Sequence, residues 1–248
     1  MIYYMSATGN SLHAARKIAA ALGEAAPVSM TAAGPNAVCD DDVIGFVFPV
    51  FAWGPPNMVE DFVASLKITN KGAYIFAIVT CGMSIGCCLT NIDALLKTKG
   101  GALSYGDKLR MVANYIPMYD VKTETADAIL QKADVRLEEI IEDIKARRVN
   151  RLKKGMPWWR AMHKMSAQYK EADKDYSVSE ACVGCGTCAK VCPARNIHLQ
   201  DGHPTFTHNC EHCLACIHWC PNKAINYKNN TQTKRRYHHP EVKVEELV

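Results

Sequence analysis

Cys182-x-x-Cys185-x-x-Cys188-x-x-x-Cys192-Pro193 is followed 28 residues later by Cys210-x-x-Cys213-x-x-Cys216-x-x-x-Cys220-Pro221. The same offset carries Ile197 onto Ile225, each four residues after its proline, so the segment is an internal duplication. Eight of the twelve cysteines fall within these 39 residues; the other four, Cys39, Cys81, Cys87 and Cys88, lie in the first 90. The first basic residue is Arg16 and no charged segment precedes an apolar one, so no signal peptide is read and a cytoplasmic location is expected. Clustered cysteines in that compartment argue for metal ligation over disulfides. Paired structural zinc sites could use the C-x-x-C steps, but zinc takes four ligands and needs neither a third step nor a closing Cys-Pro.

Three thiols two residues apart suit a loop that curls around one iron–sulfur cubane and reaches three of its irons. Gly184, Gly186 and Ala215 are small enough for backbone amides to approach the sulfurs. Residues 177–228 resemble bacterial-type ferredoxins with two [4Fe–4S] clusters. The resemblance implies crossed ligation: Cys182, Cys185, Cys188 and Cys220 for one cluster, and Cys210, Cys213, Cys216 and Cys192 for the other.

Upstream, strands and helices alternate. Ile2–Met5, Val43–Phe48, Ala73–Val79 and Leu109–Val112 read as strands, the middle two buried on both sides. Asn10–Leu22, Met58–Leu66, a segment around Ile92–Leu96 and a long amphipathic stretch from Ala126 to Ile144 read as helices, the last capped by Thr123 or Thr125. This alternation predicts a doubly wound, parallel, five-stranded sheet over residues 1–147, followed by a small α+β domain.

The first strand runs into Ser6-Ala7-Thr8-Gly9-Asn10-Ser11 and then directly into a helix. A helix N-terminus presents unpaired N–H groups and positive dipole charge, and the hydroxyls add donors for a phosphate. The loop has no lysine, so it is not a P-loop, and no G-x-G-x-x-G, so it is not a dinucleotide fingerprint. The bland alternative is a helix cap. Two further loops follow strands: Pro49-Val50-Phe51-Ala52-Trp53-Gly54, with aromatics for a flat ring, and Thr80-Cys81-Gly82-Met83-Ser84-Ile85-Gly86, with glycines for close backbone approach. In an open parallel sheet these lie at the carboxyl ends of the strands, where ligands bind.

The three loops together resemble the FMN site of flavodoxins, over residues 1–145. Ser6 stands where that family more often has Thr, which keeps the hydroxyl. The resemblance implies FMN contacts from Ser6, Thr8, Gly9, Asn10, Ser11, Pro49, Val50, Phe51, Trp53, Gly54, Thr80, Cys81, Gly82 and Gly86, with Asn114 and Tyr115 within reach. Cys81, Cys87 and Cys88 read as small buried hydrophobes near the flavin.

Residues 148–176 join the halves. Lys145–Lys174 holds ten basic and two acidic residues, against a whole-chain charge of +4. Trp158, Trp159 and Tyr169 are costly to leave in water, so the stretch is expected to dock the second half onto the first, or onto that of a dimer mate. The tail from residue 229 is polar, and His238 and His239 read as solvated. The longest uncharged stretch, Gly72–Ile92, is broken by a polar loop, so no membrane span is expected.

The whole chain resembles flavodoxin–ferredoxin fusion proteins of anaerobic bacteria and archaea. That implies an electron-transfer flavoprotein exchanging electrons with an external redox protein or a small-molecule donor or acceptor. Two other classes stay open: an FMN-dependent reductase of a small organic substrate fed by the clusters, and a redox sensor or binding module using the basic linker. Nucleic acid is not an expected partner, since a basic run is more often a solvated face or a dock for an acidic protein. No Ser-His-Asp, H-E-x-x-H or paired-carboxylate signature occurs, so no side chain is nominated as catalytic.

Overall fold

In the computed structural model, which describes residues 1–120, 122–152 and 156–247, five parallel strands form the main sheet. They are β1 (Ile2–Tyr4), β2 (Val28–Ser29), β3 (Val43–Pro49), β4 (Tyr74–Cys81) and β5 (Tyr105–Arg110). Their order, β2-β1-β3-β4-β5, is that of a flavodoxin-like doubly wound fold, which leaves a crevice at the carboxyl ends of β1 and β3. All eight residues of the interior strand β4 are buried, as a strand covered on both faces requires.

The period of two sorts its side chains between two cores. On one face Phe76 and Ile78 join Ile2 and Tyr4 beneath α1 (Asn10–Leu22) and α4 (Thr123–Lys145), which contribute Leu12, Ile18, Leu137, Ile140 and Ile144. On the other, Ile75, Ala77 and Val79 join Tyr3, Phe46 and Phe48 beneath α2 (Asn57–Ser65) and α3 (Cys88–Lys97). Each fully buried Leu, Ile or Phe contributes roughly 1.5–3 kcal/mol through apolar surface removed from water.

The fifth strand is Tyr105–Arg110 rather than 109–112. Among the described residues it pairs only with β4, and its outer edge is met by the Asn150 amide, which accepts from Gly106 N–H and donates to Gly106 carbonyl at 3.0 Å each. A one-sided strand tolerates Asp107 and Lys108, which erase the apolar signal. At α4, Lys122 holds the N-cap position and no side chain caps the helix, so Thr123 and Thr125 both lie inside it.

In the second half, β6 (Tyr176–Val178) pairs antiparallel with β9 (Ile225–Tyr227), and β7 (Ile197–Gln200) with β8 (His203–Phe206). Asp201 and Gly202 turn that hairpin with φ of 50° and 77°, the left-handed pair its tight turn needs. The duplication extends to the backbone. Gly184, Gly186 and Arg195 have φ of 67°, 76° and 50°, and their counterparts His212, Leu214 and Lys223 have 49°, 63° and 52°. Glycine adopts this conformation freely, whereas His212 and Leu214 carry it at roughly 1–2 kcal/mol each.

The halves are packed together. Ile116 shares a core with Cys188, Ile197, Leu214, Cys216, Ile217 and Ile225, and Ala7 shares another with Val191, Ala215 and Trp219. The joining segment contributes α5 (Pro157–Ser166), which opens on proline, a residue suited to a first turn. Its buried His163 donates from Nδ1 to the Ala52 carbonyl at 3.1 Å, and Asn57 donates to the Ala167 carbonyl at 2.9 Å. The helix therefore docks on the first half, but it turns Trp158 outward at 52% exposure, together with Met162 and Met165. Lys153 and Lys154 of the basic run lie outside the described residues.

The tail is solvated only in part. Tyr237, His239 and Val242 are buried, because the chain after residue 229 returns over the start of α1 and packs Val242 into the core that α1 covers. His238 is exposed, as expected, and its ring stacks on Trp219 with centroids 4.4 Å apart. No helix among the described residues is long and apolar enough to cross a membrane.

Candidate functional site

The loop 6–11 leaves β1 at the crevice. Gly9 is the N-cap of α1 at φ 95°, no side chain caps that end, and the first turn has no acidic residue. The first N–H groups of α1 therefore lack intrahelical partners and side-chain acceptors, as an anion site requires. Ser6 Oγ accepts from the Gly9 N–H at 3.1 Å, which shapes the loop from within. Thr8 and Ser11 are buried: Asn114 donates to Thr8 Oγ1 at 3.3 Å, and the Ser11 and Thr80 hydroxyls share a hydrogen bond of 2.8 Å.

The Phe51–Gly54 turn closes with reciprocal backbone bonds of 2.8 and 2.9 Å. Ala52 and Trp53 both take positive φ, 40° and 62°, an arrangement that costs energy without glycine and that throws Trp53 outward at the mouth of the crevice. Gly86 makes this turn possible, since a Cβ there would run into the Trp53 carbonyl. Gly54 likewise leaves room for the His163 ring.

These loops enclose a cleft of about 840 Å³, within the range of small-ligand sites. Of the residues expected there, Ser6, Thr8, Asn10, Ser11, Pro49, Val50, Phe51, Trp53, Thr80, Cys81 and Gly82 line it, as do Asn114 and Tyr115. Gly9, Gly54 and Gly86 do not; they shape the walls from behind. Burial pushes the Cys81 thiol up to about 11, so it is a neutral apolar surface at the wall, and Cys87 and Cys88 are buried beyond it. The fold also brings Arg110, Lys122, Tyr169 and His212 to the cleft, none of which any motif assigns to it. Arg110 and Lys122 add positive charge. The donor set thus fits a phosphorylated ring compound, with buried hydroxyls and a helix N-terminus at one end and an apolar, aromatic wall at the other.

The cysteines form two groups. Cys182, Cys185, Cys188 and Cys220 line one cavity in the second half, with Pro221 beside them. In the other group Cys192 influences the buried thiols of Cys213 and Cys216 as Cys210 does. Burial pushes Cys188 and Cys210 up to about 11 and also pushes Cys213 and Cys216 well up, so these sulfurs would be thiolates only against bound cations. Backbone N–H groups already point at sulfur: Asn196 to Cys192 Sγ and Ala224 to Cys220 Sγ, both at 3.2 Å and again 28 residues apart. Among the described residues no three His, Cys, Asp or Glu side chains gather closely enough to hold a single ion. Four sulfurs that line one cavity, as those of Cys182, Cys185, Cys188 and Cys220 do, suit a polynuclear cluster.

The two sites adjoin. His212, Cys213 and Leu214, from the second cysteine loop, form part of the wall of the cleft. His212 meets Tyr115 edge-on and lies parallel to Tyr169, with ring centroids 5.7 and 5.9 Å apart, so an aromatic layer lines this side.

Residues 181–225 match the family model of the 4Fe-4S dicluster domain. A search of curated proteins finds no match. Among solved structures, a flavodoxin from the domain Archaea is similar at 17% identity, covering 58% of this chain and 96% of its own, with a TM-score of 0.38. A short-chain flavodoxin associated with a non-canonical PDU bacterial microcompartment is 12% identical over 56% of this chain and 95% of its own, with a TM-score of 0.34. By strand order in the first half and by the matched segment in the second, the chain joins a flavodoxin-like α/β unit to a 4Fe-4S dicluster domain.

Proposed function

We propose that the chain is an electron-transfer flavoprotein that holds two [4Fe–4S] clusters and one FMN and exchanges electrons with an external redox partner. The observation that carries this reading is the shared wall: Cys213 and Leu214 line the same cleft as Thr8, Asn10 and Ser11. When bound, the cofactors supply one- and two-electron redox chemistry, and the protein supplies placement and electrostatics.

Cys182, Cys185, Cys188 and Cys220 would hold one cluster, and Cys192, Cys210, Cys213 and Cys216 the other. The hydroxyls of Ser6, Thr8 and Ser11 and the first N–H groups of α1 would receive the phosphate. Trp53 would cover one ring face, and the backbone of Thr80–Gly82 would meet the ring edge. Cys213, at the wall of the cleft, would bring the second cysteine group beside the flavin, while Cys185 and Val183, which are exposed, would leave the first open to solvent. The residues of the first cysteine loop would thus face an outside partner and those of the second the flavin site, which is the placement that electron exchange between them would need.

Exposed Met83, Met118 and Tyr119 at the open rim of the cleft favour a second reading, in which a small organic substrate is reduced there. The test is to reduce the clusters rapidly without oxygen and follow the flavin absorption band. Electron transfer within the chain makes flavin reduction independent of protein concentration. A rate that scales with concentration would mean that each cofactor serves an outside partner. Saturable oxidation of the reduced flavin by a defined compound would select the reductase.

A further inference from the structure

The outer side of loop 6–11 is held by residues remote in sequence. Trp219 donates from Nε1 to the Ala7 carbonyl at 2.9 Å, the His239 N–H to the Thr8 carbonyl at 2.7 Å, and the Tyr237 hydroxyl to Asn10 Oδ1 at 2.6 Å. The tail presses so closely on the loop that a Cβ on Gly9 would lie 2.9 Å from the Cβ atoms of both His239 and Val242. Asn10 is gripped at both ends of its amide, since its Nδ2 donates to the Val112 carbonyl at 3.1 Å. Tyr237 is held in turn: its N–H donates to His218 Nδ1 at 3.0 Å, and His218 Nε2 donates to the Asn114 carbonyl at 2.7 Å. Its ring is buried with Val112 and Ala126.

Asn10 is the first residue of α1 and lines the cleft. Its orientation therefore ties the helix N-terminus to the loop after β5. Without the Tyr237 hydroxyl, a buried amide oxygen would lose its donor, and the loop would rearrange to find another. That rearrangement would misplace the N–H groups that face an anion.

We propose that Tyr237 is a positioning residue of the flavin site: its hydroxyl fixes Asn10, and through Asn10 the start of α1, in the arrangement that receives the FMN phosphate. The proposal rests on the FMN reading above. It makes the C-terminal tail part of the cofactor site although no described tail residue lines the cleft.

The experiment titrates the cluster-loaded, flavin-free full chain with FMN and, separately, with riboflavin, which lacks the phosphate. The variants are Tyr237→Phe, Asn10→Ala, their combination, and Tyr74→Phe as a control, whose hydroxyl donates to the Arg148 carbonyl at 2.7 Å at the far end of β4. Tyr237→Phe is expected to weaken FMN binding about tenfold, the scale of one buried hydrogen bond, and to leave riboflavin binding unchanged. Tyr74→Phe should change neither, and the double variant should bind FMN no more weakly than Asn10→Ala alone. An equal loss for both flavins would reveal general loosening and overturn the proposal, as would additive losses in the double variant. Wild-type binding of FMN that Tyr237→Phe leaves unmoved overturns this proposal alone. Wild-type protein that binds neither flavin overturns the FMN reading and this one together.

Discussion

Trp219 and Ala7 lie 212 residues apart in sequence, yet the indole Nε1–H donates to the Ala7 carbonyl at 2.9 Å in a buried setting. Ala7 and Trp219 share a buried cluster with Val191 and Ala215, and the partly buried Val244 and Leu247 pack against it, so both halves and the tail meet here. Trp219→Ala would leave a cavity and an unpaired carbonyl, at a cost of roughly 3–5 kcal/mol. Anaerobic calorimetry should show one unfolding transition for the wild type and two for the variant. Two transitions in the wild type would mean that the halves do not stabilise one another.

The chain purified without oxygen should contain about eight irons, eight labile sulfides and one FMN, as two cubanes and one flavin site require. Metal and acid-labile sulfide analysis, with flavin extraction, checks this. Stoichiometric zinc would sink the cluster assignment.

Cys192→Ala should damage the cluster held by the Cys210 loop and spare the one held by the Cys182 loop, because Cys192 lies with Cys210, Cys213 and Cys216. Electron paramagnetic resonance of the reduced protein distinguishes the two. Loss confined to the Cys182-loop cluster would refute the crossing.

Acid should loosen the tail before the sheet. The buried His239 ring stacks on His13 at 4.0 Å, and its Nδ1 accepts from the Glu241 N–H at 3.2 Å. Burial first, and then the nearby His13, pushes its pKa down to about 4, with Asp134 opposing and Lys17 and His238 assisting. The unfolded ring titrates near about 6.5. Between those values the unfolded chain binds a proton that the folded chain does not. The His239 contribution is therefore whole above about pH 6.5 and falls away as the pH drops toward 4, by about 3 kcal/mol at most. Hydrogen exchange at residues 237–242 should quicken over that range, and less so in His239→Asn. Exchange that stays flat would remove His239 as the cause.

Gly54→Ala should undock α5, since the new methyl would occupy the space of the His163 ring. Overpacking of this kind costs roughly 1–3 kcal/mol. Limited proteolysis should then cut within residues 148–176 faster than in the wild type. A second substitution, His163→Ala, should restore much of the resistance by opening that space.

Much of the fold is readable because its signals are local. Cysteine spacing is covalent and survives any packing, and β3 and β4 are unbroken apolar runs because both their faces are covered. β2 is not readable: only Val28 and Ser29 pair with β1, too few residues to show a period. β5 was misplaced because Asn150, 44 residues away from Gly106, completes its edge and frees it from apolar alternation. The cleft divides in the same way. Loop 6–11 announces itself through glycine and hydroxyls, whereas Arg110, Tyr169 and His212 arrive from an edge strand, the joining segment and the second half. The tail misled because Tyr237, His239 and Val242 follow the contour of a partner surface rather than a helical or strand period.

Synthesis order gives the bond between Tyr237 and Asn10 another meaning. The ribosome releases loop 6–11 early, and the tyrosine that steadies it follows 227 residues later. At about 5–20 residues per second, that is a delay of about 10–45 s. Throughout it, the nascent sheet carries a cofactor loop whose outer bonds are not yet made. Flavin capture would then be timed to follow translation of the cysteine region, since Cys182–Cys220 emerges before Tyr237 does.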